Sequence, residues 1–110
     1  MIEETIAKIE AAIKRIDATS FNKKPELIRL LATLKFEVEQ LARTHGDQAR
    51  SIAGFTEVAA HEASRQDRVS DLHELSLAGL SFSVKGFEAS HPKLVEATNE
   101  ICKLLSSIGI

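Results

Sequence analysis

Five isoleucines, at positions 2, 6, 9, 13 and 16, open the chain with a 4-3-4-3 spacing. That period is the period of an α-helix, and it lines all five up as one stripe. A helix this short has little stability alone in water. The stripe therefore commits the chain to packing helix against helix, and isoleucine at both seam positions suits assemblies of more than two helices. On the outer face Glu4 precedes Lys8 and Glu10 precedes Lys14, the favourable i,i+4 order, each pair worth about 0.3 kcal/mol.

The same period recurs downstream. After a polar connector, Pro25 fits the first turn of a helix in which Leu27, Leu31, Leu34, Val38 and Leu41 repeat the spacing as far as about His45. Ile28, Leu30 and Phe36 widen its apolar side, which predicts contact with more than the first helix. Gly46 fits the left-handed residue past a helix end, and Asp47 can cap the next start. From there to about Arg65 the pattern weakens to Ile52, Phe55, Ala59 and Ala63, with Gly54 lowering helix propensity among alanines that raise it. A break is expected at 66–70, where Asp67, Ser70 and Asp71 can all cap and Asp71 with Glu74 has capping-box spacing. Without that break the helix would run roughly 60 Å, beyond what its neighbours could cover.

The segment 71–89 predicts a helix with an unusual surface. Glu74, Ala78, Ser81, Lys85 and Glu88 make one narrow polar strip, and Leu72, Leu75, Leu77, Leu80, Phe82, Val84 and Phe87 spread over most of the rest. Ser76, Gly79, Ser83 and Gly86 add a small-residue line on which a second backbone could lie close. A helix apolar in two directions needs two sets of neighbours. The candidate interface is therefore Leu72, Leu75, Ser76, Gly79, Phe82, Ser83 and Gly86, closed by a second copy as a symmetric homodimer. The rival is a monomer in which 47–65 folds over this helix as a lid. A last helix starts at Pro92, carries Leu94, Thr98, Ile101, Leu105 and Ile108 on its seam, and ends at Gly109 with Ile110 folding back on Leu105.

At 110 residues these elements amount to a single all-α domain, a small bundle of four to five helices built from antiparallel helical hairpins. Residues 1–46 form the first hairpin, 47–66 a further helix, and 70–110 a second helical pair. A net charge of −2, with basic residues gathered only in pairs such as Lys14-Arg15 and Lys23-Lys24, argues against a nucleic-acid partner. The start is acidic where a secretory signal would be basic, and the longest charge-free run, Leu75 to Val84, is half a membrane span. The expectation is a cytoplasmic protein with no membrane partner.

The stretch Phe87-Glu88-Ala89-Ser90-His91-Pro92-Lys93-Leu94, followed by Ile101, Leu105 and the terminal Gly109-Ile110, resembles the small bacterial proteins of the family known as domain of unknown function 4404. The resemblance implies a helical bacterial protein with a Phe-Glu-x-x-His-Pro-x-Leu segment, and it makes 47–66 an inserted helix relative to shorter members. It implies no activity and no functional residue. The structural motif it marks comprises Phe87, Glu88, His91, Pro92, Leu94, Leu105, Gly109 and Ile110.

Catalytic chemistry lacks its parts. His91 before Pro92 suits a helix N-cap rather than a base. Glu88 and His91 make a single Glu-x-x-His where a di-metal bundle needs two. His61-Glu62 and His73-Glu74 lack the second histidine of a zinc helix and are expected to be solvated. The lone Cys102 reads as a small buried hydrophobe. No phosphate loop, nucleophile elbow or Cys-x-x-Cys occurs. No enzyme, cofactor or metal is expected. The favoured function is a helical interaction or oligomerisation module, and the alternative is a bundle that binds a small molecule or metal with Ser76, Ser83 or Thr98 beside a histidine.

Overall fold

The computed structural model describes residues 2–16 and 22–108, and holds α1 (Ile2–Lys14), α2 (Lys24–Leu41), α3 (Gly46–Ser64), α4 (Ser70–Ser83) and α5 (Pro92–Ser106), with no strand among the described residues. The isoleucine stripe is buried as its spacing requires: Ile6, Ile9, Ile13 and Ile16 are in the core with Leu27, Leu31, Leu34, Val38 and Leu41 of α2. Ile28 and Phe36 do not join them, being 50% and 58% exposed, because they stand off the seam that α2 presents to its neighbours.

The chain runs up and down. Ile2 and Glu3 lie by Glu39 and Ala42, and Glu10 to Lys14 by Ile28 to Lys35, so α1 and α2 are antiparallel. An open groove lies between the C-terminal half of α1 and Ile28 to Lys35 of α2. The first helix instead packs most extensively on α3, and α2 on α5. At the α1–α2 corner the Lys24 ammonium donates to the carbonyls of Lys14 and Ile16, both at 2.9 Å, placing a cation on the negative end of α1. Parallel to α1 runs α3, whose Ser64 hydroxyl accepts from Arg15 at 3.4 Å.

The weakly patterned segment is the centre of the fold. α3 touches all four other helices, and Ala49, Ile52, Ala53, Ala59, Ala60 and Ala63 are buried on it. Alanine contributes little to a hydrophobicity signal, yet it lets adjoining helices approach closely. α3 thus supplies the helix against which the others are arranged.

Helix ends depart from several expectations. Gly46 is the first residue of α3, behind an N-cap at His45, and Gly86 is the only glycine at positive φ among the described residues. The chain leaves α2 through tight turns, with His45 N–H donating to Leu41 O, and needs no left-handed residue there. Asp47 sits in the first turn and pairs with Arg50 instead of capping. The expected break between α3 and α4 is present, but α4 starts at Ser70 behind Val69 with no side-chain cap, so Asp71 and Glu74 form no capping box. The helix expected over 71–89 ends at Ser83. Gly86, at φ 96°, turns the chain away, and Glu88 Oε1 accepts its N–H at 2.8 Å. The ending expected at Gly109 and Ile110 lies outside the described residues.

Two glycines inside helices test this packing. A Cβ at Gly54 would meet nothing within 4 Å, whereas one at Gly79 would sit 2.5 Å from the Phe55 ring. Gly54→Ala should therefore stabilise the fold by about 1 kcal/mol, raising the melting temperature by about 4 °C. Gly79→Ala should show no such gain, because Phe55 must move. Equal stabilisation at both sites in thermal denaturation would refute the α3–α4 packing.

Candidate interaction surface

α3 and α4 form a hairpin in which Phe55 of α3 packs on Gly79 of α4. This contact, with Ser76 buried, uses the small-residue line inside the chain. The hydroxyls of Ser76 and Ser83 are spent on α4 itself, donating to the carbonyls of His73 at 2.8 Å and Leu80 at 2.6 Å. Of the candidate interface residues, Ser76 and Gly79 thus face α3, Ser83 is half-buried, and Gly86 is in the following turn. The α3 cover is the lid expected as the rival to a dimer, and it reaches only this side of α4.

The other candidates remain uncovered. Leu72, Leu75 and Phe82 are 46%, 68% and 66% exposed. Their i, i+3, i+10 spacing puts them on one face of α4, bordering the side that α3 covers at Gly79. Phe55, also exposed, adjoins this face from α3, and exposed Val58 follows it by three residues along α3. Lys85 leans over it with its ammonium 5.1 Å from the Phe82 ring centroid, a cation–π contact that leaves the charge in water.

The inner face of α4 is tied to α5. Nε2 of buried His73 lies 3.0 Å from the Leu105 carbonyl, so that nitrogen carries the hydrogen. Cys102 meets the Leu77 carbonyl at 3.8 Å, and the two contacts make α4 and α5 antiparallel. Against the expectation of solvation, His73 and Glu62 are both buried: Glu62 accepts from Arg65 at 3.0 Å, and His73 Nδ1 has no partner. Thr98, also buried, leaves its hydroxyl unbonded.

The segment from Phe87 to Leu94 builds the opposite corner. His91 is the N-cap of α5 and Pro92 follows it into the helix, as the residue order requires. Leu94 and Leu105 are fully buried on α5. Phe87, His91 and His45 set their rings edge-on to one another, at centroid separations of 5.6, 5.7 and 6.3 Å. His45 and His91 cap α3 and α5 with nearly the same backbone, φ −135° ψ 63° and φ −138° ψ 63°. Each Nδ1 shares a hydrogen bond with the preceding hydroxyl, Thr44 at 2.8 Å and Ser90 at 2.9 Å. His45 is the member that motif reading passes over. Its signal is the hydroxyl-then-histidine pair directly before a helix, present at both Thr44-His45 and Ser90-His91. Both pairs join neighbours in sequence, and among the described residues no carboxylate bonds either imidazole. Glu88, bound to the Gly86 amide, stands in the turn rather than on a helix face with His91.

Among the described residues no three histidine, cysteine or acidic side chains gather as metal ligands, and no helix is long and apolar enough to cross a membrane. Comparison with known proteins gives no family model that matches the chain, no similar curated protein and no similar solved structure.

Burial pushes the Cys102 thiol up from its usual 9.0 to about 11, so the thiolate is scarce at neutral pH. Alkylation by iodoacetamide at pH 8 should run about a hundredfold slower in the folded protein than in denaturant. Equal rates would show an open, activated thiol.

Proposed function

We propose that the chain is a non-catalytic helical interaction module that self-associates as a homodimer through the outer face of α4. The observation that carries this reading is the uncovered line of Leu72, Leu75 and Phe82, continued by Phe55 and Val58. Large apolar side chains scattered singly are ordinary on a surface, but a cluster of this kind, three on one face of α4 with Phe55 beside it and Val58 one turn further along α3, supports a contact site. The net charge of −2 and the acidic flank of Asp71 and Glu74 disfavour nucleic acid and anionic lipid as the occupant. The segment Phe87 to Leu94 is what supports a likeness to the bacterial family named above, and the acidic start with the short charge-free run supports a cytoplasmic setting.

Area sets the strength. Five side chains about half exposed offer roughly 500 Å² per copy, or about 1,000 Å² over two, the lower end of specific interfaces. That size suits a reversible dimer rather than an obligate one. Sedimentation equilibrium should show a dimer with a dissociation constant on the order of 10 μM. Leu75→Glu and Phe82→Glu should each abolish it while leaving the melting temperature of the monomer within about 2 °C, since both side chains already face water. These positions serve better than Gly79, where a side chain strikes Phe55 within the same molecule. A monomer at about 100 μM would defeat the proposal.

A further inference from the structure

The face of α4 also carries a direction. Its N-terminal end bears Asp71 and Glu74, and just beyond its C-terminal end stands Lys85; all three are exposed, and none has an ion-pair partner among the described residues. On the helical period Asp71 and Glu74 flank one side of the Leu75–Phe82 line, the side away from Phe55. Lys85 follows Phe82 by three residues, and its ammonium reaches back over that ring.

Resting on the dimer reading above, we infer that two copies pack their α4 helices antiparallel about a two-fold axis beside Ala78, with Leu75 of each on Phe82 of the other and Lys85 of each on the partner's Asp71 and Glu74. The midpoint of Leu75 and Phe82 falls between positions 78 and 79, so a two-fold axis there exchanges the two apolar side chains and brings each acidic end onto a basic one. A two-fold between antiparallel helices keeps each flank beside its own copy, which matches charge to charge on one side and places Phe55 and Val58 together on the other. Parallel α4 helices would set Asp71 and Glu74 against themselves, and like charges in register disfavour that arrangement.

Charge reversal tests the orientation. In sedimentation equilibrium, Glu74→Lys and Lys85→Glu should each weaken the dimer about tenfold, since each change removes two symmetry-related pairs and adds repulsion, and the double variant should recover most of the loss. An independent check is Ala78→Cys combined with Cys102→Ser. Exposed Ala78 would lie across the axis from its own copy, within the reach of a disulfide, so mild oxidation of this variant should yield a covalent dimer that dithiothreitol dissolves. If the unmodified protein dimerises but the charge-reversed double variant shows no recovery and the Ala78→Cys variant does not cross-link, this orientation is overturned while self-association through α4 stands. If the unmodified protein is monomeric at about 100 μM, both fall, and the face belongs to a different partner.

Discussion

The close approach that alanine permits along α3 is the constraint on which the arrangement depends. Ala49, Ala53, Ala59, Ala60 and Ala63 are buried, and through them one helix reaches α1, α2, α4 and α5. Large side chains at these positions would push the neighbours out to separate grooves. The isoleucines of α1 and the leucines of α2 provide most of the hydrophobic area, but a slim central helix lets both share one core. This is why α1 and α2, adjacent in sequence and antiparallel, leave an open groove beside the C-terminal half of α1: each has a closer partner, α3 for the first and α5 for the second.

The same economy decides what α4 shows to the outside. Its inner side is held by Leu80 in the core and by the His73 and Cys102 contacts with α5. A second side is taken by α3, with Phe55 over Gly79. The described helices place no further element against the third side, so Leu75 and Phe82 stay about two-thirds exposed. The surplus apolar surface therefore follows from topology: one helix is apolar on three sides in a bundle that covers two.

How much of this the chain discloses depends on the kind of residue carrying it. Isoleucine and leucine repeats reveal α1, α2 and the seam of α5 because large apolar side chains at period 3.6 leave no rival pattern. Proline fixes the starts of α2 and α5, and His91 falls at the N-cap that the following ring demands. The role of α3 stays hidden because alanine packing is a matter of distance between helices, which periodicity along one helix does not encode. The end of α4 escapes the sequence pattern for a related reason. Leu, Val and Phe continue the apolar period through Phe87, but the helix stops at Ser83 and the left-handed backbone of Gly86 then redirects the chain. On the outer face, Leu72, Leu75 and Phe82 are legible as surplus. Ser76 and Gly79 are legible as a line for close packing, but nothing in their spacing distinguishes a neighbour in the same chain from one in another.

That early stop also gives the Phe-Glu-x-x-His-Pro segment a physical meaning. Gly86 takes the conformation that side chains avoid, and Glu88 holds it by accepting its amide hydrogen. Phe87 is thereby swung onto His91 and His45, which cap two helices that start at the same end of the bundle. Pro92 pre-sets the first turn of α5, whose Leu94 then enters the core. Each member acts on the path of the chain between α4 and α5, and the aromatic contact with His45 ties that path to the α2–α3 corner. A glutamate and a histidine three apart would share a helix face only if α4 continued through them. Because it ends at Ser83, the pair serves the turn, and the exposed Leu72, Leu75 and Phe82 lie on α4 before it.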